Sequence, residues 1–157
     1  MDNEILSFQS KDMSFGLQIP QSALNSIYKM CAASSNETGG ILIGYYSADF
    51  SWAIVTKVTA PPVGSIRGTS TFVREGKSLT RLLDECWKQK QYYLGEWHYH
   101  PNASAEPSNT DKNTMCKLAR TASLHCPEPI LLIIGGNCNS WTIHCSVFVA
   151  EKEIRLI

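Results

Sequence analysis

Apolar and polar positions change period several times along the chain, and each change marks an element. In PQSALNSIYKMCAASS, residues 20–35, Leu24, Ile27, Tyr28 and Cys31 recur at the spacing of one helical face. Pro20 at its head suits a first helical turn. GGILIGYY, residues 39–46, is an apolar run of strand length, and WAIVTKVTA, residues 52–60, reads as its antiparallel neighbour. APPVGS, residues 60–65, is a loop. Helical spacing returns in KSLTRLLDECWKQKQ, residues 77–91, with Leu79, Leu82, Leu83 and Cys86 on one side. YYLGEWHYH, residues 92–100, alternates and is rich in aromatic residues, as a strand is, and Pro101 ends it. PSNTDKNTMCKLARTA, residues 107–122, predicts a third helix with Met115, Leu118, Ala119 and Ala122 inward. EPILLIIGG, residues 128–136, has the unbroken apolar run of a central strand. SWTIHCSVFVA, residues 140–150, alternates and puts Trp141, Ile143, Cys145, Val147 and Val149 on one face. EIRLI, residues 153–157, closes the sheet or adds an edge. Strands outnumber helices, and the helices separate groups of strands. The expected architecture is therefore α/β, a mixed β-sheet sandwiched by α-helices, in a single domain over residues 1–157.

Charge narrows the range of partners. The formal net charge is zero, from 14 acidic and 14 Lys plus Arg residues. No basic field is present to draw the chain onto nucleic acid or a membrane surface, so neither is expected as a partner. The start, MDNEILSFQSK, lacks the basic and apolar regions of a signal peptide, and no apolar run approaches membrane-spanning length, which points to a cytoplasmic protein. The six cysteines, Cys31, Cys86, Cys116, Cys126, Cys138 and Cys145, include no Cys-x-x-Cys pair. They are expected to be buried, reduced thiols and to form neither a disulfide framework nor a zinc knuckle.

The informative chemistry lies in GEWHYHPNASAEPSNTD, residues 95–111. Side chains alternate faces on a strand, so His98 and His100 point the same way, with Trp97 and Tyr99 behind them. Past Pro101 a polar loop leads to a helix that starts near Ser108, and Asp111 falls in its first turn. Two neutral imidazoles and a carboxylate make a three-ligand set that leaves the fourth position of a tetrahedral zinc ion open to water, the logic of a catalytic site. Each piece also has a plainer reading. His-x-His occurs by chance, and Ser108 with Asp111 is a good capping box. His125 and His144 have no comparable neighbours and read as structural. Water activated by a metal needs a proton acceptor, and two glutamates compete for that role. Glu96 shares the parity of the histidines; Glu37 precedes a strand expected to run near theirs.

Glu37 followed by TGGILIG, and then His98-Tyr-His100-Pro with Ser108 and Asp111 downstream, resembles the JAMM motif of the JAB/MPN metalloproteases. That motif is a distant Glu, then His-x-His-Pro, six residues, Ser, two residues and Asp, and every spacing fits. The resemblance covers most of the chain and implies a JAB domain, a cytidine-deaminase-like α/β sandwich. Deaminase chemistry itself is disfavoured, because no Pro-Cys-x-x-Cys is present. The resemblance implies one zinc ion per chain, held by His98, His100 and Asp111. It implies Glu37 as general base and acid, and Ser108 as donor to the oxyanion of a tetrahedral intermediate. Glu96 then becomes a supporting residue beside His98. Two positions depart from the usual pattern: Tyr99 replaces a Ser or Thr, and EWH stands where WYH is common.

Active members of the family cut the amide after the C-terminus of a ubiquitin-like protein, and others are metal-free scaffolds. Here all five active-type positions are present. The segments from Phe72 to Trp97 and from Asp111 to Ile130 are short for the insertions that grip ubiquitin. The chain looks most like compact bacterial members encoded beside ubiquitin-transfer-like enzymes, the deconjugases of type II CBASS anti-phage operons. There the implied protein partner is a cGAS-like nucleotidyltransferase joined to its targets through its C-terminus. Two alternatives remain: a zinc peptidase trimming a sulfur-carrier protein to its Gly-Gly end, and a non-catalytic interaction module.

Overall fold

The first helix forms where the apolar spacing places it. Helix α1, Gln21–Ala32, buries Leu24, Ile27 and Cys31 and is entered from Pro20, whose extended backbone occupies the N-cap. The computed structural model describes residues 4–60 and 77–157. The loop expected at residues 60–65 therefore lies, beyond Ala60, outside the described residues. Among the described residues the other helices are α2, Lys77–Lys88, and α3, Asn109–Arg120, with a short 3-10 turn at Ala122–Leu124. The strands are β1, Ile5–Gln9; β2, Gly16–Pro20; β3, Thr38–Tyr46; β4, Trp52–Val58; β5, Tyr92–Pro101; β6, Ile130–Asn137; β7, Ser140–Val149; and β8, Lys152–Leu156.

These strands form one sheet in the order β1-β2-β4-β3-β5-β6-β7-β8. The pairs β2–β4 and β5–β6 are parallel and the others antiparallel, so the sheet is mixed, as expected. Laid flat, the outer strands of such a sheet would stand about 33 Å apart at the usual strand spacing. Instead, Gln9 and Ile157 exchange two backbone hydrogen bonds of 2.9 and 3.0 Å. The sheet is curled until its edges meet.

The curl separates two cores. On one face α1 packs on Leu17, Ile19, Leu94, Trp97, Tyr99, Leu132 and Cys145. On the other, α2 and α3 supply Leu79, Met115 and Leu118 to Ile41, Ile43, Tyr93, Leu131, Ile133 and Phe148. This is the helix-covered α/β sheet of the sequence reading, with α1 on one side and α2 and α3 on the other. Among the described residues no helix is long and apolar enough to cross a membrane.

Several expectations need correction. Strands β1 and β2 are additional to those expected. Ala122 lies beyond α3 and is exposed, because the chain leaves the helix at Thr121 in an extended conformation. Pro101 ends β5 as expected, but from within the strand: it is the last residue and pairs with Gly136 of β6. All six cysteines are free, as expected, but not all are buried. Cys138 is exposed at the β6–β7 turn and Cys116 is half-buried on α3.

Candidate active site

The site starts from a break in the alternation of β5. Tyr93 faces the core under α2 and α3, and Leu94 faces the core under α1. Without interruption Trp97 would join Tyr93, yet it packs with Leu94. The register between β3 and β5 slips where Leu42 pairs with Gly95 and Ile43 with Tyr93. Gly95 has φ +150°, and a Cβ built there would lie 1.9 Å from the carbonyl oxygen of Ile130. Only glycine fits such a bulge. It shifts the phase by one residue, so that Trp97 and Tyr99 enter the α1 core while Glu96, His98 and His100 emerge on the opposite face. Behind the histidines, Tyr99 packs edge-on against Trp141 and donates from its hydroxyl to the carbonyl of Gly136 at 3.0 Å. Tyrosine in place of the usual small hydroxyl residue is thus absorbed by the core.

Five of the six residues singled out in the sequence meet at the end of β5. His98 Nε2 lies 3.0 Å from Glu96 Oε2, and His98 Nδ1 lies 3.2 Å from Asp111 Oδ1. The other Asp111 oxygen lies 3.2 Å from His100 Nε2. Ser108 caps α3 in a capping box: its hydroxyl accepts from the Asp111 N–H at 3.0 Å, and its own N–H donates to Asp111 Oδ2 at 2.8 Å. Capping uses a lone pair of the Ser108 hydroxyl and leaves its proton for another acceptor. The plainer reading of Ser108 and the chemical one are therefore compatible.

The sixth residue, Glu37, stands one position before β3. Thr38 pairs with Tyr99 and Gly39 with His98, so continuing the register places Glu37 opposite His100. Its charge acts on His100, helping to raise the pKa of that ring. Gly39 lets β3 pair closely beside the first histidine, since a Cβ there would lie 2.5 Å from the Trp97 carbonyl oxygen and 3.2 Å from His98 Cδ2.

Proton bookkeeping defines the electrostatics. The Ser104 carbonyl lies 3.0 Å from His100 Nδ1 and can only accept, so Nδ1 carries the hydrogen. In the neutral ring Nε2 then presents a lone pair to a carboxylate oxygen. His98 has a carboxylate at each nitrogen, yet a neutral imidazole has one N–H. Either protons or a cation must enter. Without a cation, protons do: the Asp111 hydrogen bond raises the pKa of His100. Burial opposes charge on His98, but its bonds to Asp111 and Glu96 outweigh that and lift it to about 9. Burial likewise opposes charge on Asp111, and its hydrogen bonds from His100 and His98 hold it well below the usual carboxylate range. Glu96 is 0% exposed, and its Oε1 has no hydrogen-bond partner among the described residues.

The side chains are closed on one another, and among the described residues no group of three His, Cys, Asp or Glu is spread to hold a metal ion as it stands. Their chemistry nevertheless fits one. Two nitrogens and a carboxylate are the donors that a borderline divalent cation takes, and a cation removes the conflict between lone pairs.

The other two histidines lie elsewhere. His125 is exposed, with its ring 5.0 Å from that of Trp87. His144 is buried beside Glu153 and Glu106, acids that stand apart from it in the sequence. Nothing local in the sequence signals those partners, nor the Gly95 bulge.

A curled mixed sheet that presents two histidines and an acid at a strand end defines a class of metal-dependent hydrolase. Residues 20–144 match the family described as prokaryotic homologs of the JAB domain, and the chain belongs to that family, as a JAMM-type metalloprotease acting on a protein substrate. It is 39% identical over 154 residues to a CD-NTase/cGAS isopeptidase of Enterobacter hormaechei, covering 96% of this chain and 86% of the relative. It is 31% identical over 140 residues to a probable metalloprotease of Sinorhizobium fredii, covering 80% and 79%. The fold is also similar to the solution structure of a protein from Desulfitobacterium hafniense, with a TM-score of 0.62, 21% identity and 86% of each chain covered.

Proposed function

We propose that this protein is a zinc-dependent isopeptidase, with residues 1–157 acting as a single cytoplasmic domain. Its substrate is a conjugate in which a cGAS-like nucleotidyltransferase is joined through its C-terminus to a lysine, in the anti-phage setting of type II CBASS. The names of the relatives support the substrate class. The observation that carries the metal is the double claim on Asp111: two imidazoles face one carboxylate with fewer protons than the three groups need.

In this reading His98, His100 and Asp111 hold the zinc ion. When bound, zinc acidifies a water and polarises the carbonyl of the scissile amide. Glu37 takes a proton from the attacking water as its oxygen bonds to the carbonyl carbon. The C–N bond then breaks, and Glu37 returns the proton to the leaving amine. Ser108 donates its free hydroxyl proton to the carbonyl oxygen as negative charge builds there. Glu96 fixes the His98 ring from its far side, as outer partners of ligating histidines do. The new carboxyl group gives up its remaining proton, so the nucleotidyltransferase leaves with a C-terminal carboxylate and the target with a lysine ammonium group.

Mass spectrometry of a purified conjugate, with and without enzyme, tests this. The expected products are the two intact proteins, with no cut inside either chain and no cleavage after chelation. Cleavage by a rigorously metal-free sample, or at an internal peptide bond, overturns the proposal.

A further inference from the structure

A second polar cluster lies against the segment that carries Ser108 and Asp111. His144 on β7 is buried, and its Nε2 lies 2.9 Å from Glu153 Oε1 on β8. His144 Nδ1 has no hydrogen-bond partner among the described residues and stands 3.6 Å from Glu106 Oε1. The same Glu106 oxygen is 3.6 Å from Arg155 Nη1 of β8. The other oxygen of Glu153 is 3.4 Å from Lys112 Nζ. Glu106 precedes Ser108 by two residues, and Lys112 directly follows Asp111. The cluster thus grips residues 106–112 at both ends.

That grip meets a need that the capping box leaves open. The box fixes Ser108 relative to Asp111, and Asp111 meets His98 and His100 of β5, but neither sets the turn against β7 and β8. The base of the connecting loop is tied to β6, where Asn102 N–H donates to the Gly136 carbonyl and Gly136 N–H to the Ala103 carbonyl. Beyond that, Ala105 enters the core that holds Phe148 of β7, and Glu106 and Lys112 add contacts to His144 of β7 and Glu153 of β8. Displacing a reacting group by about 1 Å costs on the order of 10²-fold in rate.

We propose that His144 and Glu153 are positioning residues for this hydrolase: through Glu106 and Lys112 they set the placement of the Ser108 hydroxyl over the scissile carbonyl. This rests on the role given to Ser108 above. The test compares kcat, KM, Tm and metal content for Glu106→Ala, His144→Phe and His144→Gln, the last keeping a polar amide beside the acids. Glu106 is 64% exposed, so its replacement leaves the fold intact and keeps the test open should His144→Phe not fold. Glu106→Ala and His144→Phe are expected to lower kcat about tenfold, in the range for outer partners of a metal site. KM and metal content stay as in the wild type, and His144→Gln recovers part of the loss. In a Ser108→Ala background, adding Glu106→Ala changes kcat by less than about twofold, as coupled residues require. A wild-type kcat for folded Glu106→Ala, or an undiminished tenfold effect in the Ser108→Ala background, overturns the positioning role. Should chelation or Glu37→Ala leave cleavage untouched, the reading of the site fails instead. Loss in those controls beside a normal Glu106→Ala rejects only the positioning.

Discussion

His98 and His144 have similar first neighbours and different surroundings. Each is well shielded from solvent, and each has an acid near both ring nitrogens: Glu96 and Asp111 for one, Glu153 and Glu106 for the other. Around His144 the acids are matched by Arg155 and Lys112, which stay charged at any physiological pH. Around His98 the neighbouring base is a second imidazole, and Glu37 adds negative charge through His100. The His144 cluster is balanced by its own side chains, whereas among the described residues no Lys or Arg pairs with Glu96 or Asp111 beside His98. The lesson is to count fixed cations rather than histidines: with no Lys or Arg paired to these acids among the described residues, a cation from outside would complete the charge of the His98 site.

That contrast is broken most severely at the ligands. His100→Ala is expected to lose both bound metal and all measurable cleavage, read by metal analysis beside a conjugate assay. A zinc-loaded, active His100→Ala enzyme would remove this residue from the ligand set. Glu37→Ala comes next. It leaves the proposed donor set intact, so one metal per chain should remain while turnover drops about 10²–10⁴-fold, at the upper end because the proposed mechanism routes both proton transfers through this carboxylate. Glu96→Ala is milder, about 10–100-fold in rate or metal affinity, since it acts through His98. A dead Glu96→Ala beside a near-normal Glu37→Ala, both zinc-loaded, would exchange the two assignments. The smallest effect is expected from thiol alkylation of the folded enzyme. Cys138 is exposed and should react first, whereas burial pushes the Cys31 thiol up to about 12 and the Cys126 thiol up to about 11. Rates should be unchanged when peptide mapping shows Cys138 modified; inactivation without unfolding would point to a thiol nucleophile.

The residues of the candidate site were legible in the sequence because they are short-range signals. His98 and His100 share a strand face, and Ser108 and Asp111 share one helical turn. The competition between Glu37 and Glu96 was not legible, since it depends on which strands pair; the β3–β5 register brings both acids to the same pair of rings. The long helices and the apolar strands were legible from periodicity. Strands β1 and β2 were not: ILSFQ and GLQIP are only five residues each and define their apolar face only after pairing. The His144 cluster was hidden for the same reason, its partners lying at positions 106, 112, 153 and 155. The Gly95 phase shift left no trace in composition, although it decides which face of β5 carries the chemistry.

The joined edges of the sheet have a consequence for the life of the protein in a crowded solution. An open edge strand offers a row of unpaired amides and carbonyls to any extended chain it meets, and is a common starting point for aggregation. Here β1 and β8, the two strands with a free side, are turned toward each other and latched by Gln9 and Ile157. The protein thereby withdraws its own outer strands from indiscriminate strand pairing. The latch is short, so slow amide exchange at Gln9 and Ile157 would report how firmly the seam stays shut.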